Sequence, residues 1–239
     1  MKPFKFKEFT VYQDKTAMKI GTDAVLLGAW CSISKFPDSI LDVGAGTGVV
    51  ALMLAQRTDA MTIDAVEINE DAYEQTVENF ERSDWGDRLF CYNASFQEFA
   101  EEFSEEEETY ELIVSNPPFY TDDYETDNNA RNEARFTSSL SFHDLLSGVA
   151  SLLEENGVFA TIIPFKEEES FVQLALTFNL HLNRVCRVRG NENSELKRSL
   201  LEFSYEKGEL ISEELIIEKE RHQYTDAYVE LTKDFYLKM

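Results

Sequence analysis

Two short motifs carry the residue types in this sequence that are best suited to chemistry. The first is the glycine loop Leu41–Gly48 (LDVGAGTG), and the second is the segment Asn116–Phe119 (NPPF) further along the chain. A glycine loop between a strand and a helix lets the backbone approach a nucleotide-like ligand. An Asn side-chain oxygen and the carbonyl of the next residue can both accept hydrogen bonds from one exocyclic amino group. Together the motifs predict a cofactor pocket beside a site for an amino group such as that of adenine.

The NPPF motif is suited to activating an amine whose lone pair is delocalised into a ring. Acceptors on Asn116 and the Pro117 carbonyl favour a more tetrahedral nitrogen and stabilise the positive charge that develops on it. Phe119 provides an aromatic face, on which an extruded base recovers roughly 1–3 kcal/mol of lost stacking. Asn-Pro also starts ordinary turns, so the motif alone would fit a strand-to-loop junction. The β-prone run 110–114 favours the chemical interpretation, because it puts Asn116 at the carboxyl end of a strand.

The glycine loop has the composition of a cofactor site but not the spacing of a dinucleotide fingerprint. It follows a buried strand predicted over residues 39–43 and precedes a helix predicted over 49–56. A dinucleotide site would need a third glycine at position 49, where this chain has Val49. The pattern therefore disfavours NAD and FAD, and the absence of a following Lys-Ser/Thr pair does not fit a P-loop.

Polar residues end the next two predicted strands. The apolar run 62–66 ends in Glu67, which is placed to accept hydrogen bonds from both hydroxyls of a ribose. The alternative interpretation of Glu67 is a solvated carboxylate at a strand end. A third run, 88–92, ends in Asn93, which could meet the amino group of a cofactor's adenine.

The glycine loop, Glu67, Asn93 and NPPF together resemble class I S-adenosylmethionine-dependent methyltransferases that act on exocyclic or amide nitrogens. Three further segments are similar to the bacterial tRNA1(Val) (adenine-N6)-methyltransferase family, which modifies adenosine 37 beside the anticodon: 9–14 (FTVYQD), 17–30 (AMKIGTDAVLLGAW) and 231–237 (LTKDFYL). Several nitrogen methyltransferases share NPPF, so these segments carry the narrower resemblance. The similarity covers nearly the whole chain.

The resemblance implies S-adenosyl-L-methionine as the cofactor and tRNA as the substrate. The implied cofactor contacts are spread along the first part of the chain: Lys19, Thr22, Asp23, Asp42, Gly44, Gly46, Glu67 and Asn93. In such enzymes Asp42 and the glycines would contact the methionine part, Glu67 the ribose and Asn93 the adenine. Residues 19–23 would begin a helix that closes over the cofactor, although Thr22 or Asp23 would fit equally well as its N-cap. The residues implied to hold and activate the target base are Asn116, Pro117 and Phe119.

The order of the predicted elements, together with the resemblance, favours one α/β domain with a Rossmann-like class I methyltransferase fold. We expect a seven-stranded, mostly parallel sheet with helices on both faces. The last two strands, 182–188 and 199–205, are predicted to form an antiparallel hairpin at the sheet edge. Within the domain 1–239, residues 1–37 would form a segment that faces cofactor and RNA, and residues 38–239 would form the core.

The composition predicts a cytoplasmic protein without a metal. The first residues lack a signal-peptide pattern and no apolar run is long enough to span a membrane. The three cysteines and three histidines are scattered, without a zinc or disulfide spacing: Cys31, Cys91, Cys186, His143, His181 and His222. We therefore expect no metal, no membrane association and a monomer.

Charge is the main argument against an RNA substrate. The formal net charge is −24, from 22 basic and 46 acidic residues, and would repel RNA at long range. Basic residues nevertheless exceed acidic ones, five to two, in each of the segments 1–20 and 183–198. We expect these segments to flank one cleft, with Arg187, Arg189 and Arg198 meeting the substrate; an ordinary mixed surface is the alternative.

Three other functions remain open at this stage. Ribosomal RNA guanine-N2 methyltransferases and the glutamine-N5 methyltransferases of peptide release factors resemble the chain through NPPF or NPPY. The acidic surface would suit the protein substrate of the second class better than RNA. A cofactor-binding scaffold without catalysis is the non-enzyme alternative, and the intact NPPF argues against it.

Overall fold

Eight strands form the central sheet in the computed structural model, which describes residues 2–117 and 140–239. Pro118 and Phe119 of the NPPF motif lie outside the described residues. The helices are α1 (Thr22–Trp30), α2 (Val49–Arg57), α3 (Glu70–Glu81), α4 (Phe96–Glu105), α5 (Phe142–Leu152), α6 (Glu168–Thr177) and α7 (Asp226–Thr232). The strands are β1 (Phe4–Lys5), β2 (Thr10–Val11), β3 (Ser39–Val43), β4 (Thr62–Val66), β5 (Leu89–Tyr92), β6 (Tyr110–Ser115), β7 (Leu153–Pro164), β8 (His181–Arg189), β9 (Leu196–Ser204), β10 (Ile211–Ile216), β11 (Glu218–Glu220) and β12 (Gln223–Tyr224).

The sheet confirms the predicted α/β class and adds one strand to it. Its order is β10-β8-β9-β7-β6-β3-β4-β5. Every pairing among the five strands β3 to β7 is parallel. The predicted hairpin β8–β9 is antiparallel, but the parallel strand β10 covers β8 and takes the edge position. Within the described residues the sheet therefore has eight strands, where seven were predicted. The first four residues of β10 are exposed, so the alternation that marks a half-buried strand is missing.

Two apolar layers cover the two faces of the sheet. Successive residues of a strand point to opposite faces, so Ile40 packs with α1 and α2 while Leu41 packs with α4 and α5. Both residues are fully buried. Strands buried on both faces read as continuous apolar runs, which explains why residues 39–43 and 62–66 were predicted with the bounds that β3 and β4 have.

Short polar residues begin the helices that leave the carboxyl edge of the sheet. Asn69 caps α3 by accepting a hydrogen bond from the Ala72 N–H. Ser95 and Glu98 form a reciprocal capping box at the start of α4. Gly48 precedes α2 with a φ of 75°, and a Cβ there would lie 2.7 Å from the Phe80 ring. These caps fix where the loops after β3, β4 and β5 end.

The first residues of the chain pack against its last residues. Strands β1 and β2 form a small antiparallel hairpin, and Phe6 pairs with Tyr236 through an isolated bridge. The Gln56 amide donates to the Asp234 carbonyl at 3.0 Å, which places this terminal unit beside the last turn of α2. The residue after β2 shares the Asn79 side chain with the glycine loop, so the terminal unit extends along α2 from that loop to the last turn of the helix.

Candidate active site

A cavity of about 600 Å³ opens at the carboxyl ends of β3, β4, β5 and β6. Its described lining comes from residues 16–18, the glycine loop, the segments that follow β4 and β5, and Asn116 with Pro117. Strand β3 lies between β4 and β6. From β3 the chain continues to β4 and β5 on one side of the sheet and then crosses to β6 on the other side, so the strand order reverses at β3. Open α/β sheets bind their ligands at such a switch point.

The glycine loop presents bare backbone to this cavity. Gly44 and Gly46 both line it, and both have positive φ values, of 76° and 60°. Residues with a side chain rarely adopt a positive φ, so glycine is favoured at both positions. The Gly44 N–H donates to the Val66 carbonyl at 2.9 Å, which ties the loop to the end of the neighbouring strand.

Glu67 lines the cavity beside the glycine loop and is held by two backbone groups. Its Oε2 accepts from the Gly46 N–H at 2.9 Å, and its Oε1 accepts from the Asn69 N–H at 2.8 Å. A carboxylate has about four lone-pair sites, so each oxygen can accept a further hydrogen bond. The side chain is half-buried and oriented, which does not fit a freely solvated strand-end carboxylate.

Asp42 lies beneath the glycine loop and does not line the cavity. Its side chain is 1% exposed and accepts a hydrogen bond from the Ala51 N–H in the first turn of α2. Burial raises the pKa of Asp42 to about 7, against the opposing effect of that hydrogen bond. Asp42 therefore connects the end of β3 to the first turn of α2, on either side of the glycine loop. Its assignment as a direct cofactor contact stays a prediction.

Asn93 fixes the segment that follows β4. Its Nδ2 donates to the Glu67 carbonyl at 2.9 Å and to the Ile68 carbonyl at 3.3 Å. Its Oδ1 accepts no hydrogen bond from the residues that the structure describes. Asn93 itself is not among the described lining residues, whereas the exposed Ile68 and the segment 94–97 are. The contact of Asn93 with a cofactor's adenine therefore stays a prediction.

Asn116 and Pro117 line the cavity at the end of β6. Asn116 is half-buried and Pro117 is buried. The preceding Ser115 joins three strands, because its hydroxyl donates to the Val43 carbonyl at 3.0 Å and its carbonyl accepts from the Thr161 hydroxyl at 2.9 Å. The strand end that carries the predicted acceptors is therefore fixed relative to the glycine loop.

The chain matches the methyltransferase small domain family over residues 18–165. It is 56% identical over 237 residues to the tRNA1(Val) (adenine(37)-N6)-methyltransferase of Christiangramia forsetii, covering 99% of this chain and 98% of that protein. It is 43% identical over 236 residues to the protein of the same name from Bacteroides fragilis, with the same shares covered. The chain belongs to the tRNA1(Val) (adenine(37)-N6)-methyltransferase family.

Solved structures of methyltransferases share the fold of this family member. A predicted O-methyltransferase from Agrobacterium tumefaciens superposes with a TM-score of 0.66 at 16% identity, covering 89% of this chain and 96% of that one. A type I restriction-modification methyltransferase subunit from Streptococcus thermophilus gives 0.62 at 18% identity, covering 95% and 52%. These likenesses support the class I methyltransferase architecture alone.

In this methyltransferase the N-terminal contribution to the cavity comes from residues 16–18, just before the segment that was predicted. Lys19 instead holds the chain that precedes it, donating to the carbonyls of Gln13 at 2.5 Å and Thr16 at 2.6 Å. Helix α1 is capped by Gly21 without a side-chain hydrogen bond, so the alternative that Thr22 or Asp23 caps it is wrong. The two residues do not line the cavity.

The three arginines predicted to meet the substrate lie at the active-site edge, and each is bound to a carboxylate. Because β8 runs parallel to β7 and β9 runs antiparallel to it, Arg189 at the end of β8 and Arg198 near the start of β9 share the cavity's edge. The ion pairs are Arg187 with Glu168 at 2.5 Å, Arg189 with Glu214 at 2.9 Å, and Arg198 with Asp23 at 2.8 Å. Their role toward RNA stays a prediction.

The expectation that the two basic segments flank one cleft stays a prediction. Lys19 lies next to the cavity-lining residues 16–18, whereas Lys5 and Lys7 lie in the terminal hairpin, beside the end of the chain. The pairing of the chain ends puts them there, because the Lys7 N–H donates to the Phe235 carbonyl. No local pattern in residues 1–20 reports this contact with the end of the chain.

Sequence reasoning missed several lining residues, including Thr16, Ile68 and Gln97. Their types are common in ordinary loops and give no chemical signal. The Ser95-x-x-Glu98 capping box was a readable sign that α4 starts at the cavity. In the described part of the chain no group of His, Cys, Asp and Glu residues could hold a metal ion, and no helix there is long and apolar enough to cross a membrane.

Proposed function

We propose that this protein transfers the methyl group of S-adenosyl-L-methionine to N6 of adenosine 37 in tRNA1(Val). The observation that carries the proposal is 56% identity to a relative of that name over 99% of the chain. The glycine loop, Glu67 and Asn116 around one cavity support it. A tRNA substrate would place the reaction in the cytoplasm, where we propose that the enzyme acts as a monomer.

The residues around the cavity fit S-adenosylmethionine. The volume of about 600 Å³ falls within the range of small-molecule sites, about 300–1,000 Å³. Each Glu67 oxygen can accept from a ribose hydroxyl, and an adenine could pack on Ile68. Asn93 Oδ1, next to the lining segment 94–97, would accept from the adenine amino group. When bound, the cofactor would supply an electrophilic methyl group on a sulfonium. Gly44 and Gly46 would let its methionine part lie directly on the backbone.

Asn116 and Pro117 would activate the target amine without a general base. Their oxygens would accept both hydrogens of the adenine amino group and stabilise the positive charge that develops on nitrogen. Glu67 is the only carboxylate among the described lining residues, and two backbone N–H groups already hold it. Asp42 has a pKa near that of a general base, about 7, but lies beneath the loop. The amine's proton would therefore leave to solvent after transfer.

One observation favours the glutamine-N5 alternative. The net charge is −24, and all three arginines expected to attract RNA are bound to carboxylates. A peptide release factor would meet less long-range repulsion than a nucleic acid. The two functions share the chemistry of an NH2 group held by two acceptors, so the substrate has to be tested directly.

A competition assay tests the substrate. Purified enzyme is offered total tRNA, ribosomal RNA and release factor together with tritium-labelled S-adenosylmethionine. We expect RNase-sensitive label, recovered by nucleoside mass spectrometry as N6-methyladenosine from the anticodon loop of a valine tRNA. Protease-sensitive label on glutamine, or label confined to N2-methylguanosine, would reject the proposal in favour of a named alternative.

A further inference from the structure

The hydroxyl of Thr16 is buried and has no hydrogen-bond partner among the described residues. Thr16 is 4% exposed, and the residue lines the cofactor cavity together with Ala17 and Met18. A buried hydroxyl without a partner destabilises a protein, so such groups are rare and call for an explanation. At the wall of a cavity, the explanation is a ligand that supplies the missing partner.

The backbone around Thr16 is fixed. Lys19 Nζ donates to the Thr16 and Gln13 carbonyls, and the Ile20 N–H donates to Gln13 Oε1 at 3.0 Å, closing residues 13–20 into a tight loop. Buried Gln75 on α3 accepts from the N–H groups of residues 14 and 15, at 2.9 and 3.1 Å. The part of Thr16 that remains able to move is therefore its side chain.

The same helix places this loop beside the glycine loop. Asn79 Nδ2 donates to the carbonyls of both Tyr12 and Thr47 at 2.9 Å, and the Thr76 hydroxyl donates to the Gly46 carbonyl at 3.0 Å. Thr16 therefore reaches the cavity on the side of the glycine loop. The segment 94–97, where an adenine would lie, forms a different part of the wall.

We propose that Thr16 is a cofactor-binding residue whose hydroxyl hydrogen-bonds the amino-acid group of S-adenosylmethionine. The inference rests on the cofactor assigned under the proposed function. In that proposal Glu67 would bind the ribose and Asn93 the adenine, so the charged amino-acid end is the part that still needs partners near the glycine loop. Threonine occupies more than one χ1 rotamer, and rotation about this single bond would bring the hydroxyl toward the cavity that the residue lines. A hydroxyl can donate to the carboxylate or accept from the ammonium.

Two substitutions and two ligands test this assignment. Thr16→Val replaces the hydroxyl by a methyl group of similar size, and Thr16→Ser keeps the hydroxyl. Titration calorimetry on the full chain uses S-adenosylhomocysteine and 5′-deoxy-5′-methylthioadenosine, which has the adenine and ribose but no amino-acid group. We expect Thr16→Val to weaken S-adenosylhomocysteine binding by about tenfold, the lower end for a hydrogen bond to a charged group. Binding of methylthioadenosine should not change, and Thr16→Ser should bind both ligands like the wild type.

Thermal unfolding without ligand supplies a second readout, because Thr16→Val should not lower the melting temperature although it lowers the affinity for S-adenosylhomocysteine. Replacing an unpartnered buried hydroxyl by an apolar group of the same shape is neutral or stabilising. We therefore expect Thr16→Val to melt at the same temperature as the wild type or higher, although it binds S-adenosylhomocysteine more weakly. A residue that only shapes the loop would lose stability and affinity together.

The outcomes separate this assignment from the function on which it rests. Wild-type protein that binds neither ligand would overturn the proposed cofactor and the role of Thr16 with it. Wild-type binding with unchanged affinity in Thr16→Val would overturn the role of Thr16 alone. Equal weakening of both ligands by Thr16→Val would also overturn it, because the lost interaction would then not involve the amino-acid group.

Discussion

The active-site edge of the sheet has two regions that handle charge in opposite ways. In the cofactor region, Glu67 is held by backbone N–H groups and keeps lone pairs directed at the cavity. In the region of β8 and β9, guanidinium groups are bound directly by carboxylates, as Arg187 is by Glu168 through three N–H···O contacts. Both regions are ordered by hydrogen bonds. The first region keeps its capacity to bind, whereas the second has most of its charge already neutralised.

The difference follows from the type of partner. A carboxylate that accepts two backbone N–H groups is still charged and has lone pairs to spare. A guanidinium bound in fork geometry to a carboxylate has lost its net charge toward an approaching phosphate. Geometry alone therefore supports the cofactor region as a binding site more strongly than it supports the arginines as RNA contacts.

The largest expected effect is on the acceptor at the end of β6. Asn116→Ala removes one of two oxygens that stabilise the charge developing on nitrogen, and loss of one such group costs about 10²–10³ in kcat. Affinity for the cofactor should stay within about twofold, because this interaction strengthens only as the charge develops. Single-turnover kinetics with calorimetry checks both values. Asn156→Ala, at the far end of β7, is the matched control, and near-normal turnover in Asn116→Ala would remove Asn116 from the mechanism.

The buried carboxylate beneath the glycine loop should make stability depend on pH. Burial raises the pKa of Asp42 from 3.8 to about 7, so between these values the unfolded chain ionises while the folded protein keeps its proton. The stability of the wild type should therefore fall relative to Asp42→Asn as pH rises from 4 to 7, by on the order of 4 kcal/mol at most. Above that window the difference should be constant. Urea unfolding of both proteins at several pH values measures it, and parallel curves would contradict the shift.

The cofactor region should respond to Glu67 through affinity. Glu67→Ala leaves two ribose hydroxyls and the N–H groups of Gly46 and Asn69 without an acceptor, so cofactor binding should weaken by roughly 1–3 kcal/mol. Turnover at saturating cofactor should change less. Calorimetry with S-adenosylhomocysteine measures the loss, with Glu101→Gln on the exposed face of α4 as control. Unchanged affinity would mean that Glu67 only orders the loop.

The sequence predicts best what depends on local pattern. The bounds of β3 and β4 were predicted to the residue, because strands buried on both faces are continuous apolar runs. The glycine loop and Asn116 were placed at strand ends because their neighbours are strongly β-prone. All of these features are specified within a few residues of the chain.

Contacts between distant segments were not predicted. Arg198 is paired with Asp23, 175 positions away. The strand β10 forms because β8 offers it an edge, although its own residues are largely exposed. In each case a partner that is remote in sequence decides the role, and residue type alone carries no information on that partner.

The smallest expected effect concerns salt, and it tests the region of β8 and β9 directly. Lys197 is exposed beside Arg198, and the exposed Lys166 follows β7 at the same edge, 3.8 Å from Glu167. If lysines with little or no carboxylate contact bind phosphates, Lys166→Gln and Lys197→Gln should each reduce the slope of log affinity against log salt by about 0.7–0.9. Arg189→Gln should change the slope less, because Glu214 already neutralises that arginine. Filter binding of tRNA between low and moderate salt measures the slopes, with Lys207→Gln at the opposite end of β9 as control. A larger change for Arg189→Gln than for either lysine would show that the arginine leaves its carboxylate when RNA binds, and the contrast between the two regions would then hold only for the free enzyme.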